Sequence, residues 1–511
     1  MDFPITYQFF KRVHYAIERV VTRLPPSIRR AYWRIGNRAR MHLFPATYLR
    51  LKDVSVPSLN LNPTFEPPPM PSWVIDEMRL LARDVDPALA PNAEFLRSCA
   101  YYSYPVIPAP GRCYSRIASG IEDTEYSHCF VFPWLKRGGA DLASIELVKA
   151  IHGRGGKCLV ILTERGDSPW RSRLPADVNV IDFAEEAKSL SYSEGVIVLT
   201  RLLVQLRPKI IHVINSRHAW QAIADFGKAL SQASRMYASA FCDDRDEDGI
   251  PVGYARQFLL KARPYLTRLF SDNSQYPALL SACYGYPRDM FRLVFNAYEV
   301  GGVEPQRKAE YSNRILWAGR IDRQKMPGLL LGIAKLMPDC EFVVYGEPVL
   351  GKGADVVAAL RAEPNIKLMG HFEGAENVPF DEFPVYLYTS AWDGTPFMVL
   401  AAAAFAIPTV ASAVGGVVDV LGEERGYLVS EIDNPSAYVN ALRGALAGNG
   451  ESQRRGDAAR KYVKSRHSDA AFLNSLAAEA EYLPRRADCV PGSCSVSEAQ
   501  IGNQSAAFSS N

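Results

Sequence analysis

The chain has 511 residues, of which 48% are apolar and 22% are charged, and its formal net charge is +3 at neutral pH. This length exceeds what one hydrophobic core organises, so two domains with additional segments are expected. The small net charge gives no indication of a nucleic-acid partner. The nine cysteines lack the spacing of zinc ligands or redox pairs, and neither a secretion signal nor an apolar run of membrane-helix length is present. A cytoplasmic protein is therefore expected.

The first 53 residues are a strongly basic arm. Eleven Lys and Arg side chains lie between residues 1 and 52, against two acidic ones, Asp2 and Glu18. Apolar residues recur at helical spacing between Phe9 and Leu24, which predicts an amphipathic helix. Two interpretations remain open: the helix packs on the protein and shows its charges to water, or it contacts anionic lipid at the inner face of a membrane.

Three further segments carry no functional motif. Residues 54–72 contain six prolines and are expected to form an extended linker. Residues 73–126 are expected to form an irregular N-terminal extension with one short helix between Val74 and Ala82. Residues 484–511 are rich in Ser, Ala and Gly without periodicity, which predicts a disordered tail.

Predicted strands and helices alternate from residue 127 to residue 300. Strands are predicted at residues 128–132, 157–163, 178–183, 209–214, 235–241 and 268–271, and helices at residues 142–152, 184–206 and 218–230. This alternation predicts βαβ units and a parallel sheet, at whose carboxyl edge ligands bind. Gly138-Gly139 falls at that edge, between the first strand and the first helix. The pair is either a plain tight turn or, beside Lys136 and Arg137, part of a site for an anionic ligand.

A second alternating region, residues 312–482, follows a break near residues 298–311. Strands are predicted at residues 314–318, 341–345, 365–369, 385–388 and 407–412, and helices at residues 327–336, 354–362, 398–405, 435–446, 453–465 and 470–480. The predicted fold class is therefore α/β, with two Rossmann-like parallel-sheet domains that face a cleft.

The most informative stretch of the second region is residues 392–397 (WDGTPF). An acidic-glycine turn leads into Pro396, which suits the first position of a helix because its missing N–H would be unpaired there anyway. The free N–H groups of that turn and the positive end of the helix dipole make a site for phosphate. With the buried strand at residues 407–412 and the glycine turn Gly415-Gly416, the stretch indicates a nucleotide site in a parallel α/β domain.

The order and spacing of these motifs resemble the GT-B glycosyltransferases, in particular the retaining family 4 type whose bacterial members build surface polysaccharides. The resemblance covers about residues 127–482. Its markers in the second region are Gly319-Arg320 followed by Lys325, Tyr345-Gly346, residues 365–371 (NIKLMGH), residues 393–397 (DGTPF), Pro408, Ala411 and Gly415-Gly416. In the first region, residues 133–141 (PWLKRGGAD) are similar to the glycine loop of the family's acceptor domain.

This resemblance implies that residues 312–482 bind a nucleotide-sugar donor and that residues 127–300 form the acceptor side. The implied reaction transfers the sugar, with retention of anomeric configuration, to a polysaccharide or lipid-linked saccharide, without a metal or other cofactor. Two other interpretations remain open. One is a catalytically weak or inactive GT-B binding protein, and the other is a different GT-B enzyme such as a nucleotide-sugar epimerase or a phosphorylase.

The resemblance also implies roles for three charged side chains. Arg320 and Lys325 would stabilise the negative charge that develops on the leaving diphosphate, or they are a solvated surface pair. Asp393 would accept hydrogen bonds from hydroxyls of the donor sugar, or it caps the following helix.

The remaining donor contacts are implied to come mainly from the backbone. N–H groups of Thr395, Phe397 and Gly139 would hold phosphate and sugar hydroxyls, and the turn at His371 would border the base. The implied donor-binding residues are Gly138, Gly139, Gly319, Gly346, His371, Gly394, Thr395, Pro396 and Phe397.

His212 joins Arg320, Lys325 and Asp393 in the implied catalytic set. It lies near the end of the strand predicted at residues 209–214, where the family often places an active-site histidine. The second position of that pattern is Ile214 here, so His218 either substitutes for it or simply opens the next helix. A lone histidine at a strand end is otherwise structural. Retaining members need no conventional base, because the leaving phosphate can take the acceptor proton.

Residues 393–401 depart from the family's pattern at two acidic positions: the first acid is shortened from Glu to Asp, and the second is absent. The family places two acidic residues eight positions apart, the first on the sugar and the second on the ribose. Asp393 stands at the first position and Ala401 at the second. A carboxylate on the ribose would be worth ~1.5–3 kcal/mol, or roughly 10- to 100-fold in donor affinity. The absence of this carboxylate predicts that the donor is bound more weakly or by other groups, and it leaves open the interpretation that the protein is catalytically inactive.

Overall fold

The computed structural model describes residues 72–91, 108–122, 124–299, 313–348, 354–447 and 450–484. The predicted basic arm, the linker except Ser72 and the predicted tail after Pro484 lie outside these residues. The chain divides at Pro108 into two compact units. In the first unit, the described residues form helix α1 (Ser72–Asp84) and a 3-10 turn (Pro87–Leu89). α1 is longer at both ends than the helix predicted between Val74 and Ala82.

Helix α2 (Pro108–Ser119) leads into the second unit. Its residues Cys113 and Ile117 are buried in the same apolar cluster as Cys129 and Val131 of the first sheet. The sequence predicted one helix in residues 73–126, between Val74 and Ala82, and α2 is a second helix there, with apolar residues that pack on one face of that sheet.

The N-terminal domain of the second unit is built on seven parallel strands in the order β3-β2-β1-β4-β5-β8-β9. The strands are β1 (His128–Phe132), β2 (Cys158–Leu162), β3 (Asn179–Asp182), β4 (Ile210–Ile214), β5 (Arg235–Ser239), β8 (Leu266–Ser271) and β9 (Phe291–Leu293). In the centre, Phe130 pairs with Val160 on one side and with His212 on the other. Every residue of β1, β2 and β4 is buried. Burial on both faces is why these strands are continuous apolar runs in the sequence.

Helices and one hairpin connect these strands. The helices are α3 (Gly139–His152), α4 (Phe183–Glu186), α5 (Tyr192–Leu206), α6 (Arg217–Leu230), α7 (Tyr254–Ala262) and α8 (Gln275–Tyr284), and the hairpin pairs β6 (Asp244–Arg245) with β7 (Pro251–Val252). The helix predicted at residues 184–206 is divided into α4 and α5, because Ser191 begins α5 with a capping box that includes Glu194. The hairpin, α7, α8 and β9 were not among the predicted elements.

The C-terminal domain has six parallel strands in the order β12-β11-β10-β13-β14-β15. The strands are β10 (Arg314–Ala318), β11 (Glu341–Tyr345), β12 (Ile366–Gly370), β13 (Val385–Tyr388), β14 (Thr409–Ser412) and β15 (Tyr427–Val429). The helices are α9 (Pro327–Leu336), α10 (Ala354–Ala362), α11 (Phe397–Ala404), α12 (Gly416–Leu421), α13 (Pro435–Leu446) and α14 (Gly450–Arg466). Of these strands, only the three-residue β15 was not predicted.

The last helix of the described residues, α15 (Asp469–Ala477), crosses back to the N-terminal domain. Its residues Phe472 and Leu476, with Tyr482 after it, are buried in the same cluster as Phe130 and Tyr237. The sequence had assigned residues 312–482 to one domain, but the apolar face of α15 packs against the first sheet. The predicted fold class is confirmed: the molecule is α/β, with two parallel-sheet domains.

Candidate functional site

The loops predicted to bind the donor meet at the carboxyl ends of the two sheets. Gly138 is the N-cap of α3, and Gly139 is the first residue of that helix. A Cβ added to Gly139 would lie 3.4 Å from Cδ2 of Phe397, the first residue of α11 in the other domain. The glycine loop and the WDGTPF stretch therefore face each other across the two domains.

The centre of the site is an ion pair between Lys325 and Asp393. Lys325 ends a 3-10 turn after β10, and its Nζ donates to the Asp393 carboxylate and to Tyr388 Oη, the latter at 2.7 Å. The Tyr388 hydroxyl donates to the same carboxylate oxygen. The side chains of Lys325 and Asp393 are 13% and 19% exposed. Burial, with the Asp393 charge as a second cause, raises the pKa of Tyr388 well above its ordinary value, so its hydroxyl stays a hydrogen-bond donor.

Arg320 lies on the same loop but is open to solvent. Its Nε is 3.2 Å from an Asp322 carboxylate oxygen, its Nη2 donates to Gln324 at 2.7 Å, and its side chain is 51% exposed. Gln324 in turn donates to the carbonyl oxygen of Trp392 at 2.8 Å. The two predicted cations therefore differ: Lys325 is partly buried against Asp393, whereas Arg320 is exposed enough to turn toward an incoming anion.

The start of α11 differs from the sequence-based expectation. The helix begins at Phe397, and Pro396 occupies the N-cap position instead of the first helical position. Asp393 is not a helix cap, because its carboxylate binds Lys325, Tyr388 and, at 3.0 Å, the N–H of Gly394. The first N–H that bonds back to Pro396 is that of Val399, at 3.0 Å. The N–H groups of the two preceding residues are therefore those of an open helix N-terminus, where an anion is stabilised.

Thr395 does not have the role that the sequence suggested. Its N–H donates to Asp272 Oδ2 at 2.9 Å, and its Oγ1 donates to the Asp272 carbonyl oxygen at 2.7 Å. The N–H that was expected to hold phosphate is thus bound to a carboxylate of the other domain. A Cβ added to the neighbouring Gly394 would lie 2.8 Å from Cβ of Phe241, so only glycine fits between the domains. The one sign of Asp272 in the sequence is its place directly after a predicted strand.

Two glycines shape the loop that carries the cations. Gly346 has a φ of +147°, and a Cβ there would lie 1.9 Å from the carbonyl oxygen of Gly319. The N–H of Gly319 donates to Tyr345 at 3.0 Å, and that of Gly346 donates to Gly370 at 2.7 Å. These contacts bring the ends of β10, β11 and β12 together and leave no room for a side chain at Gly346.

His371 lies at the rim, after β12. Its Nε2 is 3.3 Å from Arg137 Nη1, and Arg137 also pairs with Glu373 at 3.1 Å. Arg137 belongs to the glycine loop of the N-terminal domain, so the predicted base-side turn contacts the predicted acceptor-side loop.

His212 does not reach the cleft, contrary to its predicted catalytic role. The ring is fully buried, with Nδ1 2.5 Å from Tyr482 Oη and Nε2 2.8 Å from Ser239 Oγ. Burial lowers the pKa of His212 to about 3, so the imidazole is neutral. The returning C-terminal segment covers the ring, and both nitrogens are used in the core. His218 lies in the first turn of α6, where its Nδ1 is 3.2 Å from Glu164.

Ala401 is fully buried in the core of the C-terminal domain, among residues such as Leu316 and Val399. A glutamate at this position would have to leave that cluster to contact a ribose. The sequence identified the missing acid but gave no sign of how closely the site around it is packed.

Asp141 is a site residue that the sequence reasoning missed. It lies in the first turn of α3, and a Cβ at Gly138 would be 2.8 Å from its Oδ2. Burial raises the pKa of Asp141 to about 7, although a hydrogen bond from the Lys136 backbone and the charges of Lys136 and Arg320 act in the opposite direction. A carboxyl whose pKa is near neutral therefore lies within the electrostatic reach of Arg320 of the other domain.

Within the described ranges, no group of three or more His, Cys, Asp and Glu side chains is placed to hold a metal ion. None of the helices in the described part of the chain is both long enough and apolar enough to span a membrane.

Residues 312–448 match the family model described as Glycosyl transferases group 1. The fold is shared with HepE from Anabaena in complex with UDP and glucose, at 14% identity and a TM-score of 0.56 over 69% of this chain and 99% of that chain. It is also shared with a mutant of TarM from S. aureus in complex with fondaparinux, alpha-GlcNAc-glycerol and UDP, at 11% identity and a TM-score of 0.56 over 70% of this chain and 99% of that chain.

A third structure with this fold is the lipopolysaccharide outer core galactosyltransferase WaaB in its apo form, at 16% identity and a TM-score of 0.53 over 68% of this chain and 98% of that chain. No curated protein matches the chain. At these identities the structural likeness shows the fold alone. The molecule therefore has the two-domain GT-B fold, and its C-terminal domain matches the group 1 glycosyl transferases.

Proposed function

We propose that the protein is a glycosyltransferase that moves a sugar from a nucleotide-sugar donor to a saccharide acceptor. The observation that carries the proposal is the convergence of Lys325, Asp393 and Arg320 at the carboxyl edge of the C-terminal sheet. These residues belong to the part of the chain that matches the group 1 glycosyl transferases.

The leaving group of such a reaction is a nucleoside diphosphate, on which negative charge accumulates in the transition state. Arg320 is exposed, and a guanidinium forms planar, two-pronged hydrogen bonds with phosphate oxygens. Lys325 pairs with Asp393, and the first N–H groups of α11 add the positive end of the helix dipole. Fixed charges of this kind, aimed at the diphosphate, are the largest catalytic contribution available to the site.

The donor sugar belongs between Asp393 and the glycine loop. A sugar hydroxyl that donates to Asp393 replaces part of its contact with Tyr388 and Lys325. The Lys325 ammonium then turns toward the diphosphate. This exchange keeps both charged groups paired, which a partly buried site requires.

Retention of configuration is part of the proposal. In that mechanism the leaving phosphate oxygen takes the proton of the acceptor hydroxyl, so no side-chain base has to contact the acceptor. The burial of His212, with both ring nitrogens bonded in the core, is in keeping with such a mechanism. The expectation that the reaction uses no metal or other cofactor is kept as part of the same proposal.

UDP is the nucleotide to test first, because the structures of HepE and TarM contain UDP. For the acceptor, we keep the sequence-based expectation of a bacterial polysaccharide or a lipid-linked saccharide. The descriptions of TarM with a GlcNAc-glycerol and of WaaB as a lipopolysaccharide outer core enzyme are in line with it.

Calorimetric titration of UDP, GDP and ADP tests the donor site. We expect saturable binding of UDP, weakened roughly 10- to 100-fold by Arg320→Ala, since a charged hydrogen-bonding partner is worth about 1.5–3 kcal/mol. Arg314→Ala is the matched control, because Arg314 pairs with Glu341 at 3.0 Å at the opposite end of β10. Absence of saturable binding to all three nucleotides at millimolar concentration would overturn the proposal.

A second candidate is a GT-B protein that binds a nucleotide without transferring a sugar. Ala401 in place of the second acidic residue favours it. The two candidates differ in turnover: a transferase releases UDP from its sugar nucleotide in the presence of acceptor, and a binding protein does not. Because Ala401 is fully buried, Ala401→Glu should tighten UDP binding, by roughly 10- to 100-fold, only if the folded variant turns the new carboxylate out of the core toward a ribose beside this position. Unchanged affinity in a folded variant would place the ribose elsewhere.

We also propose that the basic arm brings the enzyme to an anionic membrane surface, where a lipid-linked acceptor is found. The argument is the charge and periodicity of residues 1–52. In a flotation assay with vesicles that contain anionic lipid, the full chain should rise with the vesicles, and a chain without residues 1–52 should stay in the bottom fraction. Equal flotation of both chains contradicts this role.

A further inference from the structure

Asp272 joins the two domains at the donor loop. It follows β8 directly, and it is 3% exposed. Its carboxylate accepts three hydrogen bonds: from the N–H of Thr395 at 2.9 Å, from Asn296 Nδ2 at 3.0 Å and from Asn273 Nδ2 at 2.7 Å. Thr395 belongs to the C-terminal domain, so an N-terminal carboxylate contacts the loop that carries Asp393.

The three donors come from three separate segments. Asn273 precedes α8, Asn296 lies on the chain that follows β9, and Thr395 precedes α11. An isolated carboxylate is costly to bury, and the cost is offset only when hydrogen bonds satisfy its oxygens. The Asp272 carboxylate is therefore stable only while all three segments keep their relative positions.

In the neighbouring contact between the domains, the carboxylate belongs to the C-terminal domain and the donor to the N-terminal domain. Asp419 of α12 accepts hydrogen bonds from the N–H and the Oγ of Ser274, both at 2.6 Å. Ser274 is the N-cap of α8, so this C-terminal carboxylate holds an N-terminal helix. Asp419 thus contributes to the same joint as Asp272, but its partner is Ser274 instead of the donor loop.

The backbone between Thr395 and Asp393 connects the contact with Asp272 to the position of the Asp393 side chain. Gly394, between them, is confined: a Cβ there would lie 2.8 Å from Phe241 and 2.9 Å from Asp272 Oδ2. The carbonyl oxygen of Gly394 accepts the N–H of Gly416 at 2.9 Å. With this loop held at both ends, the Asp393 carboxylate stays against Lys325 and Tyr388.

We propose that Asp272 is a positioning residue of the donor site: it holds the Gly394-Thr395 loop from the opposite domain and so keeps Asp393 against Lys325. The inference rests on the proposed function only in giving Lys325 and Asp393 their donor roles. Asp272 itself is hydrogen-bonded to neither of them.

Chemical reactivity of the Lys325 amine tests this inference without a ligand. Limited acylation of the folded protein, followed by mass spectrometry, gives the rate at Lys325 relative to the exposed Lys228. Asp272→Ala is expected to raise the relative rate at least about fivefold, because the loop opens locally and Lys325 loses its partner. Asp272→Asn, whose amide oxygen still accepts a hydrogen bond, should give a smaller rise and serves if Asp272→Ala does not fold.

Asp419→Asn is the matched control, since it weakens the same joint through Ser274. It should leave the Lys325 rate within about twofold of wild type. An unchanged rate in the folded Asp272 variants, or an equal rise in Asp419→Asn, would overturn the inference. Failure of wild-type protein to bind UDP would instead overturn the proposed function, and the acylation result would stand independently of it.

Discussion

Two clusters of polar side chains, one in each domain, differ in what surrounds them: one follows the strand ends of the C-terminal sheet, and the other is centred on the middle of β4 in the N-terminal sheet. Lys325, Asp393 and Tyr388 bond to one another at the edge of the C-terminal sheet, where the charged side chains of Lys325 and Asp393 are 13% and 19% exposed. His212 in the N-terminal sheet bonds to Tyr482 and Ser239 and has no exposure.

The difference lies in what covers each cluster. Residues 469–482 cross from the C-terminal domain and place Tyr482 over His212. In the Lys325 cluster the partners are Asp393 and Tyr388, and the two charged side chains keep part of their surface open to solvent. Lys325 and Asp393 lie beyond the ends of their strands, whereas His212 is the third of the five residues of β4 and both its ring nitrogens are bonded in the core.

The largest effect is expected from truncating the covered histidine. His212→Ala removes two buried hydrogen bonds and leaves a cavity, so the free energy of unfolding should fall by about 3–5 kcal/mol. Urea denaturation measures this loss. UDP affinity of the folded variant should stay within about twofold of wild type. A large loss of affinity with little loss of stability would show that His212 acts in the site.

Lys325→Ala is expected to change UDP affinity more than stability. The variant should bind UDP roughly 10- to 100-fold more weakly, because a charged partner of the diphosphate is lost. Calorimetry measures the affinity, and Lys335→Ala, on the exposed side of α9, is the control. If Lys325→Ala keeps the wild-type affinity, the ion pair with Asp393 is purely structural and the comparison of the two clusters fails.

The covered cluster also predicts a pH dependence of stability. The pKa of His212 is lowered to about 3 in the folded protein by burial, so the unfolded chain takes up a proton near its ordinary pKa while the folded chain does not. Stability from this residue is fully present above the unfolded value and is lost as pH falls below it. Between pH of about 7.5 and about 5, wild type should lose about 2 kcal/mol more than His212→Ala. Parallel denaturation curves for the two proteins over this interval would contradict the assignment of a neutral buried imidazole.

The smallest effect is expected from Tyr388→Phe. Loss of the hydroxyl removes one hydrogen bond to Asp393 and one from Lys325, but these two groups stay paired with each other, so the net cost should be about 0.5–1.5 kcal/mol of stability. UDP binding should change less than in Lys325→Ala, because both charges remain. Tyr386→Phe is the matched control in the same strand, since its hydroxyl donates to the Ala318 carbonyl at 3.2 Å, away from the ion pair. A larger loss of UDP affinity in Tyr388→Phe than in Lys325→Ala would reverse the expected order of the two residues.

Local pattern was enough to predict most of the two sheets. Central strands such as β1 and β10 are buried on both faces, so their residues are mainly apolar and their positions follow from the sequence. Short or edge strands such as β9 and β15 have only three residues and no such run. Their existence depends on a neighbouring strand that is already in place.

The candidate site, like the sheets, was predictable where local pattern determines it. The sequence placed Gly139 at the carboxyl edge of the first sheet, and Arg320, Lys325 and Asp393 at the carboxyl edge of the second, and the structure has them there. It could not show that the Thr395 N–H is bound to Asp272, because those two residues are 123 positions apart. Nor could it show that Ala401 is enclosed by the core.

By itself, the sequence determined the alternation of strands and helices, the parallel class of both sheets and the residue types available at their carboxyl edges. These follow from local propensity and burial, which each segment carries within itself. Only the tertiary structure decided which polar groups remain open to a ligand. That outcome depends on residues that are distant in sequence. Tyr482 is hydrogen-bonded to His212, and Asp272 accepts the N–H of Thr395, so groups that local pattern leaves unpaired are already bonded within the protein.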